Sequence, residues 1–409
     1  MAAKIGEAEA LEPRTLAEVK RRPDWPLWEK AINEELETLH QAGTWELTKA
    51  PPDANIVGSK WVFCAKKDAA GNIIQYKACL VAQEFLQILG IDYFDIFVPI
   101  AKLAAIRSVL VMAAAKDLEL HQIDIKGAYL NGELTGHEVI FMQQPPGYHA
   151  PGSAKLMCWL QKTLYGLKQS GRCWYQKLVE IMLTHLGFAR CDVDQAIFFQ
   201  GKGRAIIIIL VHVDDCIIVA TSITLITNFK AWILEYVDIT DLGELHWLLG
   251  IKIKCNQERC IIHLFQCFYI DSILRWYGLQ DLKPVFIPMD TNIWLTTVQS
   301  PSTTAEFAQM CNVPYHEAVR SLMYAALRTH PDIAFAIQTI SCFLTKPGLT
   351  HWEAMKRIFR YLKGMMELWL TYGTSKMDLM GYADADGSMA EDRHAILGYA
   401  FLIHGRAIS

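Results

Sequence analysis

Two adjacent carboxylates, Asp214 and Asp215, stand inside the apolar run 205–220, AIIIILVHVDDCIIVA. Leaving them unpaired in a protein interior would cost several kcal/mol, so something must compensate the charge. The aliphatic residues on both sides read as a hairpin with the acids in its middle. On this segment alone a turn with a solvated tip is the plainer account, because Asp favours turns, and a metal site is the alternative.

A third carboxylate, Asp124 in HQIDIKGAYLNG, also ends an apolar strand and by itself reads as a helix or turn cap. Taken together, three carboxylates at the ends of adjacent strands could hold two Mg²⁺ ions about 4 Å apart, an arrangement that serves phosphoryl transfer. Hard oxygen ligands suit hard ions.

The order of elements around these acids is α+β. Trp28, Ile32, Leu36 and Leu39 recur at helical spacing in 26–39, with Glu29, Glu34, Glu35 and Glu37 between them. Residues 55–81 alternate apolar and polar on either side of a DAAGN turn at 68–72 and predict a hairpin. Helices are expected at 104–116, 172–186, 226–236, 268–277, 319–344 and 350–363. Strands are expected at 121–128, in 248–264, at 379–385 and at 397–404. A loop rich in Pro, Ser and Thr, 284–304, predicts a domain boundary.

With 409 residues the chain exceeds one compact core, and 52% hydrophobic residues let each part bury its own. A net charge of −4 argues against a surface that is basic all over, so any nucleic acid must meet a local basic face. One candidate is Lys356, Arg357, Arg360 and Lys363, opposite Trp352, Met355, Ile358 and Phe359 on a helix. That face could follow the phosphates of a hybrid duplex or be a solvated surface. The eleven cysteines form no CxxC pair, which predicts reduced thiols in a cytosolic or nuclear protein. The N-terminal stretch MAAKIGEAEALEPRT lacks the apolar core of a signal peptide, and no run of about 20 apolar residues offers a membrane span.

The two carboxylate segments resemble the palm motifs of reverse transcriptases of copia-type retrotransposons, D-[VI]-K-x-A-[FY]-L-N-G and Y-V-D-D. VGSKWVFCAKKDAAGNIIQYKACLVAQEF is similar to that family's fingers hairpin, LQKTLYGLKQSGRCWY to its template and nucleotide segment, and DLGELHWLLGIKI to its primer-grip region. Further on, YHEAVRSLMYAALRTHPDIAFAI and THWEAMKRIFRYLKG resemble its connection segment, and LMGYADADGSMAEDRHAILGYAF the opening of its ribonuclease H domain.

The resemblance implies a right-hand polymerase: a lead-in at 1–45, fingers, palm and thumb at 46–290, a connection at 291–375, and a truncated ribonuclease H start at 376–409. It implies that Asp124, Asp214 and Asp215 hold two Mg²⁺ ions and that Tyr129 closes the sugar pocket against a ribose 2′-hydroxyl. Lys77 would supply charge near the triphosphate, while Gly166 and Gln169 would line the incoming base and template. The partners implied are an RNA template, a DNA primer or RNA–DNA hybrid, deoxynucleoside triphosphates and the other polyprotein products, with no membrane. The location implied is the cytoplasm, in a virus-like particle, and the nucleus.

Several positions depart from the family. Cys79 stands where Arg is usual in YKARLVAQGF, and Glu84 where Gly is usual, which removes one cation and adds one anion. His212 replaces the Tyr of Y-V-D-D, and Gly171 the Pro after LKQS. Asp384 fits the first ribonuclease H ligand, but the later acidic ligands are absent, so nuclease activity is not expected. Protease and integrase motifs are also absent, so a fragment of a polyprotein or a decayed copy is expected. The alternative to a polymerase is an inactive nucleic-acid-binding remnant.

Overall fold

The computed structural model describes residues 13–67, 73–134, 136–153, 155–203, 205–290, 292–373, 378–386, 396–403 and 405–409. The DAAGN turn lies outside them. The architecture is mixed helix and sheet, and the contacts divide the chain into two compact units, 1–102 with 121–243 and 103–120 with 244–409.

The strands leading through the first unit are β1 (Trp45–Thr48), β2 (Ile56–Val57), β3 (Ser59–Lys67), β4 (Ile73–Ala82), β5 (Glu119–Ile125), β6 (Phe141–Met142), β7 (Met157–Leu160), β8 (Ala189–Arg190), β9 (Ile197–Lys202), β10 (Ala205–His212), β11 (Asp215–Ala220) and β12 (Ile239–Glu244). Helix Trp25–Gln41 begins with Pro in its first turn, where the missing N–H costs nothing, and buries Trp28, Ala31, Ile32 and Leu39. Trp28 meets Phe63 and Tyr76 edge-on, with ring centroids 5.5 and 4.6 Å away. This fastens the helix to the antiparallel pair β3–β4, a two-stranded sheet. Strand alternation then turns Trp61, Phe63, Ala78 and Leu80 inward and leaves Cys64, Lys66, Lys77 and Cys79 on the other face.

The main sheet runs β12-β5-β11-β10-β9-β8. Ile207, Ile209, Val211, Cys216 and Ile218 join Ile123 and Ile125 in a core with Trp174 and Leu178 of helix Ser170–Glu180 and Ile226 and Phe229 of helix Ile223–Ile233. Ile208, Leu210, Ile217 and Val219, on the opposite face, are buried as well. Burial on both faces explains why 206–211 is continuously apolar instead of alternating.

In the second unit β13 (Trp247–Leu248), β14 (Ile251–Asn256), β15 (Ile261–Phe265) and β16 (Leu370–Tyr372) form one sheet. β17 (Leu379–Asp386), β18 (Ile396–Ile403) and β19 (Arg406–Ala407) form another. The two expected C-terminal strands thus pair antiparallel, with Asp384 opposite Gly398. Helix Leu103–Lys116 belongs to this unit, where Arg107 donates to the carbonyls of Leu327, Arg328 and Ile408. Among the described residues no helix is long and apolar enough to cross a membrane.

Three features differ from the sequence reading. The expected boundary at 284–304 does not separate two bodies, because Ile270, Ile273 and Leu274 share one core with Leu322, Ile337, Ile358 and Leu362. The expected helix 319–344 is two helices, Tyr315–Arg328 and Ala334–Ser341, interrupted where Pro331 starts a 3₁₀ turn. An additional helix, Thr304–Met310, forms behind a capping box in which Thr303 and Glu306 satisfy each other's backbone N–H groups.

Candidate functional site

The hairpin tip between β10 and β11 is held from two sides. His212 pairs with Asp215, leaving Val213 and Asp214 to make the turn. The indole N–H of Trp174 donates to the Val213 carbonyl at 2.8 Å, and the Ile125 N–H donates to the Asp214 carbonyl at 2.9 Å. Val213 has φ +64°, a left-handed conformation that a β-branched residue rarely adopts. That strain is tolerated because the surroundings over-determine the turn.

The carboxylates of Asp124, Asp214 and Asp215 lie in one electrostatic field. Burial raises the pKa of Asp124, and the charges of Asp214 and Asp215 raise it further; Lys66 and Lys77 pull it down. Burial also raises Asp215, opposed by the Gln122 amide, which donates to Oδ1 at 2.9 Å; Asp214 raises it and His212 lowers it. Among the described residues no three His, Cys, Asp or Glu side chains already stand as a metal-holding group. The donor set nevertheless fits a hard divalent cation: all oxygen, partly desolvated, mutually repelling, and with the charges of Lys66 and Lys77 offsetting that of Asp124.

Tyr129 follows β5 in the 3₁₀ turn Ala128–Asn131, and its ring meets Tyr165 edge-on at 4.8 Å. Its carbonyl accepts from the Thr163 hydroxyl. Burial and then the Asp214 charge push its phenol up. Gly166 has φ +88°, and a Cβ there would stand 2.3 Å from the Ala82 carbonyl oxygen. Only glycine lets this turn approach β4, where the Ala82 N–H donates to Tyr165 at 2.8 Å.

Gln169 departs from its expected place. Its side chain is fully buried, accepting from Gln87 at 3.0 Å and donating to the Asp92 carbonyl at 2.7 Å. It organises the loop after β4 and lines no open surface. The cations of the basic helix, Leu349–Gly364, have partners within the protein. Lys356 pairs with Glu353, and Arg357 with Asp290 at 3.3 Å. Arg360 donates to the Lys283 carbonyl at 2.7 Å, and Lys363 to those of Gln280 and Leu282 at 2.6 and 2.9 Å. Asp384 is exposed on β17.

Cys79 sits on the same hairpin face as Lys77, its thiol pushed up by burial and then by Glu35. Glu84 is exposed at the start of the 3₁₀ turn Glu84–Leu86. Three contributors escaped the sequence reading: Gln122, Lys66 and Glu35. Gln122 lies two residues before Asp124, and Lys66 lies on the face of β3 that carries Cys64, the cross-strand partner of Lys77. Strand periodicity therefore held a signal for both. Glu35 reaches the hairpin only through tertiary packing.

A family model described as "Reverse transcriptase (RNA-dependent DNA polymerase)" matches residues 42–291. The chain is 39% identical, over 97% of its length, to the Retrovirus-related Pol polyprotein from transposon TNT 1-94 of Nicotiana tabacum. It is 34% identical, over 93% of its length, to the Retrovirus-related Pol polyprotein from transposon RE1 of Arabidopsis thaliana. It spans 30% and 25% of the lengths of these two relatives.

Proposed function

The chain belongs to the reverse transcriptase family, as the reverse transcriptase region of copia-type retrotransposon Pol polyproteins, and from that premise we propose that it joins deoxynucleotides to a primer along an RNA template. The observation that carries this reading is the common field of Asp124, Asp214 and Asp215 at a doubly anchored tip, with Lys66 and Lys77 acting on Asp124. In this reading the main sheet is the palm and β3–β4 belong to the fingers. The second unit contributes the thumb and connection, and β17–β19 the start of a ribonuclease H-like domain.

Asp124, Asp214 and Asp215 would hold two Mg²⁺ ions, which when bound activate the primer 3′-hydroxyl and stabilise the departing pyrophosphate. The 3′-oxygen forms a bond to the α-phosphorus, the α–β phosphoanhydride bond breaks, and the hydroxyl proton leaves to solvent. Lys77 and Lys66 offset the triphosphate charge, so the positioned substrate does not meet a purely anionic site. The Tyr129 ring, braced by Tyr165, covers the sugar and disfavours a 2′-hydroxyl. Trp174 and Ile125 fix the tip that carries Asp214. Asp384 is no basis for nuclease activity.

A second reading, an inactive nucleic-acid-binding remnant, is favoured by Cys79. Its thiol is uncharged, and it adds no cation beside Lys77. Primer extension by the purified chain on an RNA template, with Mg²⁺ and deoxynucleotides, separates the two. Extension that disappears in Asp214→Asn, Asp215→Asn supports the polymerase. No extension, with recovery in Cys79→Arg, supports a decayed enzyme whose carboxylate site still works.

A further inference from the structure

The hairpin β3–β4 has a second acidic neighbour, on a different element from the three carboxylates. Glu35 projects from helix Trp25–Gln41, and its Oε1 accepts the Leu80 N–H at 3.2 Å. Because β3–β4 is a two-stranded sheet and β3 takes one edge of β4, this bond ties down the other edge. Leu80 itself is fully buried, and Trp28 and Ile32 from the same helix are buried in the same core. The carboxylate is thus held by the packing of its own helix.

The residues around that anchor include two on the outward face of the hairpin. Lys77 and Cys79 flank Ala78 on the outward face of β4, and Cys79 immediately precedes Leu80. The Glu35 carboxyl, pushed up by burial, is pulled back by the Leu80 N–H and by Lys77. Lys77 also acts on Asp124. Glu35 and Asp124 thus both feel the Lys77 charge, and Cys79, on the same outward face of β4, brings no second cation.

We propose that Glu35 is a positioning residue for the polyphosphate of a nucleotide: its carboxylate fixes the outer edge of β4 and acts as a counter-ion that competes with the nucleotide for Lys77. The proposal rests on the reading of β3–β4 as a nucleotide-binding hairpin. It extends that reading by assigning the hairpin's affinity to a residue of a different element. Bond and charge act in opposite directions. The bond holds Lys77 where a triphosphate needs it, and the charge weakens what Lys77 can offer.

Glutamine at position 35 separates the two effects, because its carboxamide oxygen still accepts the Leu80 N–H while the charge is gone. Binding of dTTP and of inorganic tripolyphosphate is measured calorimetrically on the whole chain, alongside primer extension. Glu35→Gln should bind both about fivefold tighter, the size of one partly screened charge interaction. In extension the change should fall on KM and not on kcat. Glu35→Ala, which also loses the acceptor, should give back that gain. In a Lys77→Gln background the Glu35→Gln gain should shrink to under about twofold, since coupling between neighbours is what such a cycle isolates.

Equal affinities of Glu35→Gln and the natural chain overturn the inference, as does a gain of undiminished size without Lys77, which would mean plain repulsion. Absence of polyphosphate binding in every variant overturns it too. The expected order of affinities without any primer extension would uphold Glu35 while removing the polymerase reading. Normal extension with unchanged affinities would do the reverse.

Discussion

The carboxylate tip and the helix Leu349–Gly364 use charge in opposite ways. At the tip, three like charges are brought into one field and held there by bonds to the backbone, Trp174 to Val213 and Ile125 to Asp214. On the helix, four cations find partners within the protein: Glu353, Asp290 and the carbonyls of Lys283, Gln280 and Leu282. From sequence both were candidate ligand surfaces. A cluster whose members repel one another costs stability and persists only if something else is gained, whereas a cluster whose members are matched is already accounted for by the fold.

The largest test of this contrast is Asp124→Asn. It should lower primer extension by about three orders of magnitude, as removal of a group bound to the reacting centre does, with folding intact by circular dichroism. Retained extension would remove the tip from the chemistry. Next in size is Mg²⁺ at about ten times its dissociation constant, which should stabilise the chain by about 1.4 kcal/mol in urea unfolding. The gain should vanish in Asp214→Asn, Asp215→Asn; equal stabilisation of both proteins would place the ion elsewhere.

On the helix, Arg360→Ala and Lys363→Ala should each cost about 1 kcal/mol of stability, the worth of a charged donor lost from a backbone carbonyl. The affinity for an RNA–DNA hybrid and its dependence on salt should stay unchanged. A weaker, less salt-sensitive complex with unaltered stability would break the comparison and return the helix to the nucleic-acid surface.

The smallest effect is on pH dependence. Asp124 and Asp215 have folded-state pKa values raised above the ordinary 3.8. The fold therefore prefers their protonated forms: their favourable contribution is complete below 3.8 and is lost as pH rises through the raised values. Asp124→Asn should accordingly be the more stable protein at neutral pH without Mg²⁺, with the difference from the natural chain closing as the pH falls below 3.8. A difference that does not depend on pH would show that neither burial nor the neighbouring acids disfavour the Asp124 charge.

Much of this could be read from the chain. The spacing of Trp28, Ile32 and Leu39 announces the first helix, and the alternation around 55–81 announces β3–β4, because both periods follow from backbone geometry. The three carboxylates stand out because charge inside apolar runs is costly. The partners of the basic helix were not legible, because periodicity shows which residues share a face and not what the face meets. Those of Gln169 were hidden in the same way, since its position beside a turn says nothing of Gln87 and the Asp92 carbonyl.

By itself the sequence determined the elements and the identity of the acids, through local geometry and the cost of burying charge, both of which act over a few residues. Only the tertiary structure decided which charges stay unmatched. It brought Asp124 to the tip of a hairpin some ninety residues further on. It also gave Lys363 the carbonyls of Gln280 and Leu282, and placed Glu35 against Leu80. Partners far apart in the chain meet only when the cores between them close, and a charge acquires its meaning from the partner that packing supplies.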